Sequence, residues 1–130
     1  MWKSRLQPII ALSTTEAEYV ALSTALRDVI AIIQLLEELE SHGFKIYKTT
    51  PKVVCRTFED NMSCVKIATN HKTRPRTKHL AIRLHHFRSF VLNKTITIEH
   101  ISTKEQTADI FTKPLPKPQF EKLRQKLMYW

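Results

Sequence analysis

Between Thr15 and Ser41 the sequence carries one unbroken helical pattern. Ala21, Leu22, Ala25, Val29, Ile32, Ile33 and Leu36 recur at three- and four-residue steps, which lines them along one face of an α-helix. The pattern stops at Gly43, the only glycine among 130 residues. This position lies just past the helix end, where a left-handed backbone is needed. A helix with one apolar face must bury it against another layer, and the flanking segments are candidates for that layer.

Upstream, "PIIALS" reads as a short strand ending at the helix cap. Downstream, "KVVCRTF" (52–58) is rich in β-branched residues and reads as a second strand. "DNMSCVKIATN" reads as a short helix with Asp60 near its cap. Pro75 interrupts a basic stretch, and a helix is expected from Lys78 to about Leu92, with Leu80, Leu84, Phe87 and Val91 on one face. "TITIEHI" (95–101) alternates like a half-buried strand. "TKEQTADIFTK" reads as a short helix, "PLPKP" as a stiff break, and "QFEKLRQKLMYW" as a basic amphipathic helix. This alternation predicts an α/β layered domain over residues 1–115, followed by a C-terminal helix over 116–130.

Hydrophobic residues make up 42% of the chain and charged residues 25%, as in ordinary globular domains. No apolar run of about 18 residues is seen, so no membrane span or membrane partner is expected. The N-terminus lacks the apolar core of a secretory signal. Cys55 and Cys64 follow no metal-type spacing and read as two reduced thiols of an intracellular protein.

The net charge is +9, and a pI of about 9.8 favours polyanions as partners. The excess is concentrated in "HKTRPRTKHLAIRLHHFRSFVLNK" (71–94), which contains four histidines and no acid. Arg74, Arg76, Lys78, His79, Arg83 and Arg88 are the candidate contacts to a nucleic-acid backbone. Such contacts are salt-dependent and carry no sequence information. The histidines lack the tight paired spacing of a zinc site. With one glycine there is no phosphate-binding glycine loop, and no GxSxG elbow is present.

Three acids stand at element boundaries: Glu18 in the first turn of the long helix, Asp60 after a strand, and Asp109 in the helix after the last strand. Carboxylates gathered at one end of a sheet can hold magnesium, and paired ions can activate water and stabilise a leaving oxygen. Each acid also has an ordinary structural reading. Thr15-x-x-Glu18 and Ser13-x-x-Glu16 both match a capping box. Asp60 is a natural helix cap, and Asp109 can be a solvated helix residue.

Four stretches together resemble a known family: "WKSRLQPIIALSTTEAEYVAL", "FEDNMSCVKIA", "RPRTKHLAIRLHHFRSFV" and "KEQTADIFTKPLP". In this order they are similar to the C-terminal ribonuclease H domain of copia-type retrotransposon polyproteins, from Trp2 to the final "FEKLRQKLMYW". The resemblance implies a ribonuclease H-like α/β fold with a mixed sheet flanked by helices. It implies four acids that bind two Mg2+ (or Mn2+) ions and hydrolyse the RNA strand of an RNA–DNA hybrid. Glu18 in "AEYVAL" resembles the second acid, Asp60 in "EDN" the third and Asp109 in "TADIF" the fourth. These three are therefore the candidate catalytic and metal-ligating residues. The implied partners are the hybrid, or another nucleic acid, and the upstream reverse transcriptase part of the polyprotein. The implied place is intracellular, in a cytoplasmic particle or the nucleus.

The family's first acid is an aspartate on its first strand, in a "D-A-D-W"-like stretch. The quoted stretches contain no counterpart, so this chain is expected to be a fragment missing the first strands. "KVVCRTF" would then be left as an exposed apolar edge, and little or no nuclease activity is expected of the chain alone. Two other readings are a non-catalytic nucleic-acid-binding remnant and a decayed reading frame without selected function.

Overall fold

The long helix forms, but it begins one residue early and is turned on its axis. In the computed structural model, which describes residues 7, 10–44, 53–70 and 85–129, helix α1 spans Thr14–Ser41. Ser13 caps it. The Ser13 hydroxyl accepts from the Glu16 N–H at 3.2 Å, and the Glu16 carboxylate accepts from the Leu12 N–H at 2.8 Å. These two bonds satisfy donors that have no partner inside the helix. At the far end Gly43 takes φ +87°. The Gly43 and Phe44 N–H groups then reach back to the carbonyls of Glu40 and Leu39, at 2.9 and 3.1 Å, which closes the last turn.

The buried stripe of α1 is Tyr19, Val20, Leu22, Ser23, Leu26, Ile30 and Ile33. The expected stripe shares only Leu22 and Ile33 with it. Ala21, Ala25 and Ile32 face solvent, and Val29 and Leu36 lie at the edge of the core. Burial free energy follows apolar area, so a face carrying Tyr19, Leu26 and Ile30 wins over one carrying two alanines. By length and composition α1 is apolar enough to cross a membrane, which corrects the expectation of no such segment. Here its apolar stripe is the main wall of the core.

The strand expected over "PIIALS" is not found at residues 10–13, and Pro8 and Ile9 lie outside the described residues. The Leu12 N–H serves the helix cap instead of a ladder. Strand β1 is Cys55–Glu59, and strand β2 is Ile96–His100. They pair in parallel, with Thr57 opposite Ile98 and Glu59 opposite His100. Among the described residues they form a two-stranded sheet. On its open face the Arg56 guanidinium makes a two-pronged contact with Glu99, at 3.1 and 2.8 Å. It also lies 5.5 Å from the Phe58 ring centre, partly covering this 45% exposed side chain.

Between the strands lie α2, Met62–Thr69, and α3, Arg88–Leu92. The helix expected from Lys78 is shorter where it can be followed: His85–Phe87 are not helical, and residues 78–84 lie outside the described residues. Phe87, fully buried, packs its ring against that of Tyr19. Val53, Cys64, Ala68, Ile96 and Ile98 complete the core. Cys55 and Cys64 are both free thiols.

After β2 the expected α-helix is replaced by two 3-10 segments, Thr103–Glu105 and Thr107–Phe111. β-Branched Thr103 and Thr107 disfavour a longer helix, and Pro114 pushes Lys113 out of the helical region. Helix α4 spans Lys117–Met128. It begins inside the expected "PLPKP" break, because a proline is tolerated in the first turn of a helix. Leu123 is its buried anchor. Lys122 and Lys126 both grip the Glu105 carboxylate.

Candidate functional site

The start of α1 meets the end of β1. Asn61, the residue before α2, holds the junction: its Nδ2 donates to Thr15 Oγ1 at 3.2 Å. The Asn61 Oδ1 also accepts from the N–H groups of Ser63 and Cys64, at 2.9 and 3.2 Å. Asn61, not Asp60, is thus the cap of α2. At α1 the cap is Ser13 with Glu16, not Thr15 with Glu18. Both capping roles that competed for the candidate acids are filled by neighbours. The carboxylates of Glu18 and Asp60 remain for something else.

They converge with a third acid. One oxygen each from Glu18, Glu59 and Asp60 lie within 4.8 Å of one another. Glu18, Asp60, Asn61, Met62 and Ser63 line an open depression of about 350 Å3 beside them. Glu59 is 8% exposed and accepts from the Asn61 N–H at 3.1 Å. Burial, more than any other cause, raises its pKa, and the charges of Glu18 and Asp60 add to this. Burial likewise pushes up the Cys64 thiol behind it, helped by the charge of Glu59. Glu18 Oε2 is buried and has no hydrogen-bond partner. Sequence reasoning missed Glu59. Its signal was the adjacent pair Glu59-Asp60 at a strand end, where the chain turns and alternation fails.

Asp109 is not in this trio. It sits on the second 3-10 segment, 5% exposed. Its Oδ1 pairs with Lys113 Nζ at 3.0 Å, and its Oδ2 is buried without a partner. The Asp109 hydrogen bond is the main cause that raises the Lys113 pKa. The charges of Asp109, Asp60 and Glu18 raise it further.

The donor set suits a hard divalent cation. Opposed oxygens on one magnesium ion lie about 4 Å apart, so the trio matches with a small side-chain adjustment. The orphaned Oε2 of Glu18 is an atom such a cation would satisfy. Of the candidate nucleic-acid contacts, Arg74, Arg76, Lys78, His79 and Arg83 lie outside the described residues. Arg88 is half-buried, and its positive charge offsets part of the rise that burial gives the Tyr19 phenol, whose pKa goes up to about 12 and whose hydroxyl shares a hydrogen bond with His85 Nδ1.

No family model and no solved structure matches the chain. Curated relatives do. The chain is 38% identical over 120 residues to the retrovirus-related Pol polyprotein from transposon TNT 1-94 of Nicotiana tabacum, covering 92% of the chain. It is 32% and 31% identical over 126 residues to those from transposons RE1 and RE2 of Arabidopsis thaliana, covering 97%. It spans 8% of the length of each of these relatives. Over nearly its whole length, the chain is homologous to one segment of the retrovirus-related Pol polyproteins of plant transposons.

Proposed function

We propose that this chain is the metal-binding part of a ribonuclease H unit in a retrotransposon polyprotein, and that it serves hydrolysis of the RNA strand of RNA–DNA hybrids. One observation carries the reading: Glu18, Glu59 and Asp60 converge at an open depression while other residues take over their capping roles. Such a gathering of carboxylates is unfavourable without a cation to offset the repulsion. Glu18 and Asp60 would hold Mg2+ or Mn2+, with Asp109 as a further ligand. A bound ion would activate water and stabilise the leaving oxygen. Glu59, anchored by the Asn61 N–H, adds negative charge behind the pair. The basic stretch around Arg74–Arg88 would hold the hybrid backbone by phosphate contact. The first acid of the resembling family would come from a preceding part of a polyprotein.

The test is cleavage of a labelled hybrid with Mg2+ or Mn2+, by this chain and by one extended with the preceding polyprotein segment. The extended chain is expected to cut, the short one to cut weakly or not at all, and Asp60→Asn to abolish cutting. Cleavage that survives Asp60→Asn unchanged would remove the site from the reaction.

A further inference from the structure

Helix α1 is apolar on two sides, and the core uses one of them. The buried stripe runs through Tyr19, Leu22, Leu26, Ile30 and Ile33. Ala21, Ala25, Asp28, Ile32, Leu35 and Leu39 line the nearly opposite side, at steps of four, three, four, three and four residues. That alternation is the spacing of a coiled-coil seam. Ala21 and Ala25 are exposed, and Asp28 and Leu39 are half-buried. Ile32 is 47% and Leu35 55% exposed. Ala21, Ala25 and Ile32 belong to the periodicity seen in the sequence, and the core leaves them out. A helix with two apolar faces has a second surface to cover.

We propose that this second stripe pairs with the same stripe of a second copy of the chain, antiparallel about a twofold axis. Side-chain size favours that occupant and that direction. The stripe is small at its start, with Ala21 and Ala25, and large at its end, with Ile32, Leu35 and Leu39. Antiparallel copies set Leu35 on Ala25 and Leu39 on Ala21, so each wide end fills the other's narrow end. Parallel copies set large on large and leave a gap beside the alanines. Charge favours the same choice. Parallel pairing brings the two Asp28 carboxylates face to face, and antiparallel pairing separates them. Exposed Arg27 and exposed Glu38 lie on one flank of the helix. Like flanks meet in an antiparallel pair, which turns Glu38 of each copy toward Arg27 of the other. The seam from Ala21 to Leu39 is about 27 Å long at a rise of about 1.5 Å per residue. This is short for a free coiled coil, but each α1 is already folded on its own core, so pairing orders no new backbone. The surface is separate from the carboxylate site, and the pairing does not depend on the metal reading.

The experiment is sedimentation velocity of the full 130-residue chain in EDTA, from about 1 to 200 µM. Wild type is expected to pass from monomer to dimer in that range. Leu35→Ala is expected to weaken the dimer about tenfold or more, since each copy loses a buried leucine contact. Leu35→Glu and Ala25→Arg are each expected to stay monomeric, with melting temperatures near that of the wild-type monomer because both positions are exposed. An equal mixture of these two variants is expected to dimerise again, because an antiparallel pair sets Glu at 35 against Arg at 25. A wild type that stays monomeric throughout overturns the proposal, as do variants that dimerise like wild type. A mixture that stays monomeric overturns the antiparallel pairing. If monomeric wild type instead binds the separately produced preceding polyprotein segment, and Leu35→Glu does not, the stripe belongs to that segment and the pairing of copies is refuted.

Discussion

Glu59→Gln is expected to make the metal-free protein more stable at neutral and alkaline pH. Glutamine has the same shape, and its carbonyl can keep the 3.1 Å bond from the Asn61 N–H. The change removes one negative charge from a set of three whose oxygens lie within 4.8 Å. At that separation a like-charge pair repels by about 3.5 kcal/mol at an effective dielectric of about 20. The depression is open, and Glu18 and Asp60 are only half-buried, so water screens this to a net gain of about 1–2 kcal/mol.

The pH dependence fixes the sign. Burial first, then the charges of Glu18 and Asp60, raise the Glu59 pKa above 4.5. The folded chain therefore holds this proton more tightly than the unfolded chain does. The stability this provides is complete below 4.5 and is lost as pH rises through the raised folded value. Glutamine never ionises and escapes the loss. Urea denaturation in EDTA at pH 8 should give a higher midpoint for Glu59→Gln, and at about pH 4 the two midpoints should converge. Saturating Mg2+ should narrow the gap at pH 8, because the ion stabilises the more negative site more. A variant equal to or less stable than wild type at pH 8 in EDTA would refute the repulsion. So would a gap that does not change with pH.

Leu26→Ala, at a position with no exposed surface, should cost about 2–5 kcal/mol by lost burial and an unfilled cavity, read as a lower urea midpoint. That is a large part of a typical domain's stability. Glu105→Gln should loosen helix α4, read as faster amide exchange along Lys117–Met128. Hydrogen bonds from Lys122 and Lys126 hold the Glu105 pKa down to about 2, from an ordinary 4.5. The clamp is therefore present above pH 4.5 and fades as pH falls toward about 2, where wild type should exchange like the variant.

The sequence made the elements legible wherever one local signal ruled. Gly43 marked the end of α1 because few other residues adopt φ +87° without strain. Ile96 and Ile98 marked β2 because alternation over five residues is the signature of a half-buried strand. Legibility failed where signals competed for the same residues. The face of α1 was misplaced because alanine counts as apolar in a periodicity yet buries little area, so Tyr19 and Leu26 outweighed Ala21 and Ala25. The strand expected over 8–13 is missing from residues 10–13 because the Leu12 N–H has a second use, the Glu16 carboxylate. The acids illustrate the same competition. Ser13 and Thr15 were equally good caps by pattern, and Asp60 read as the cap of the next helix, a place that Asn61 takes. One helix start cannot be capped at two positions, because the cap residue must be extended while the next residues are already helical. Once Ser13 and Asn61 win, Glu18 and Asp60 sit close enough to the helix starts to be carried there rigidly. Neither is used up in satisfying backbone donors there. An acid next to a filled cap position is held in place and chemically unspent, which is what a cation ligand requires.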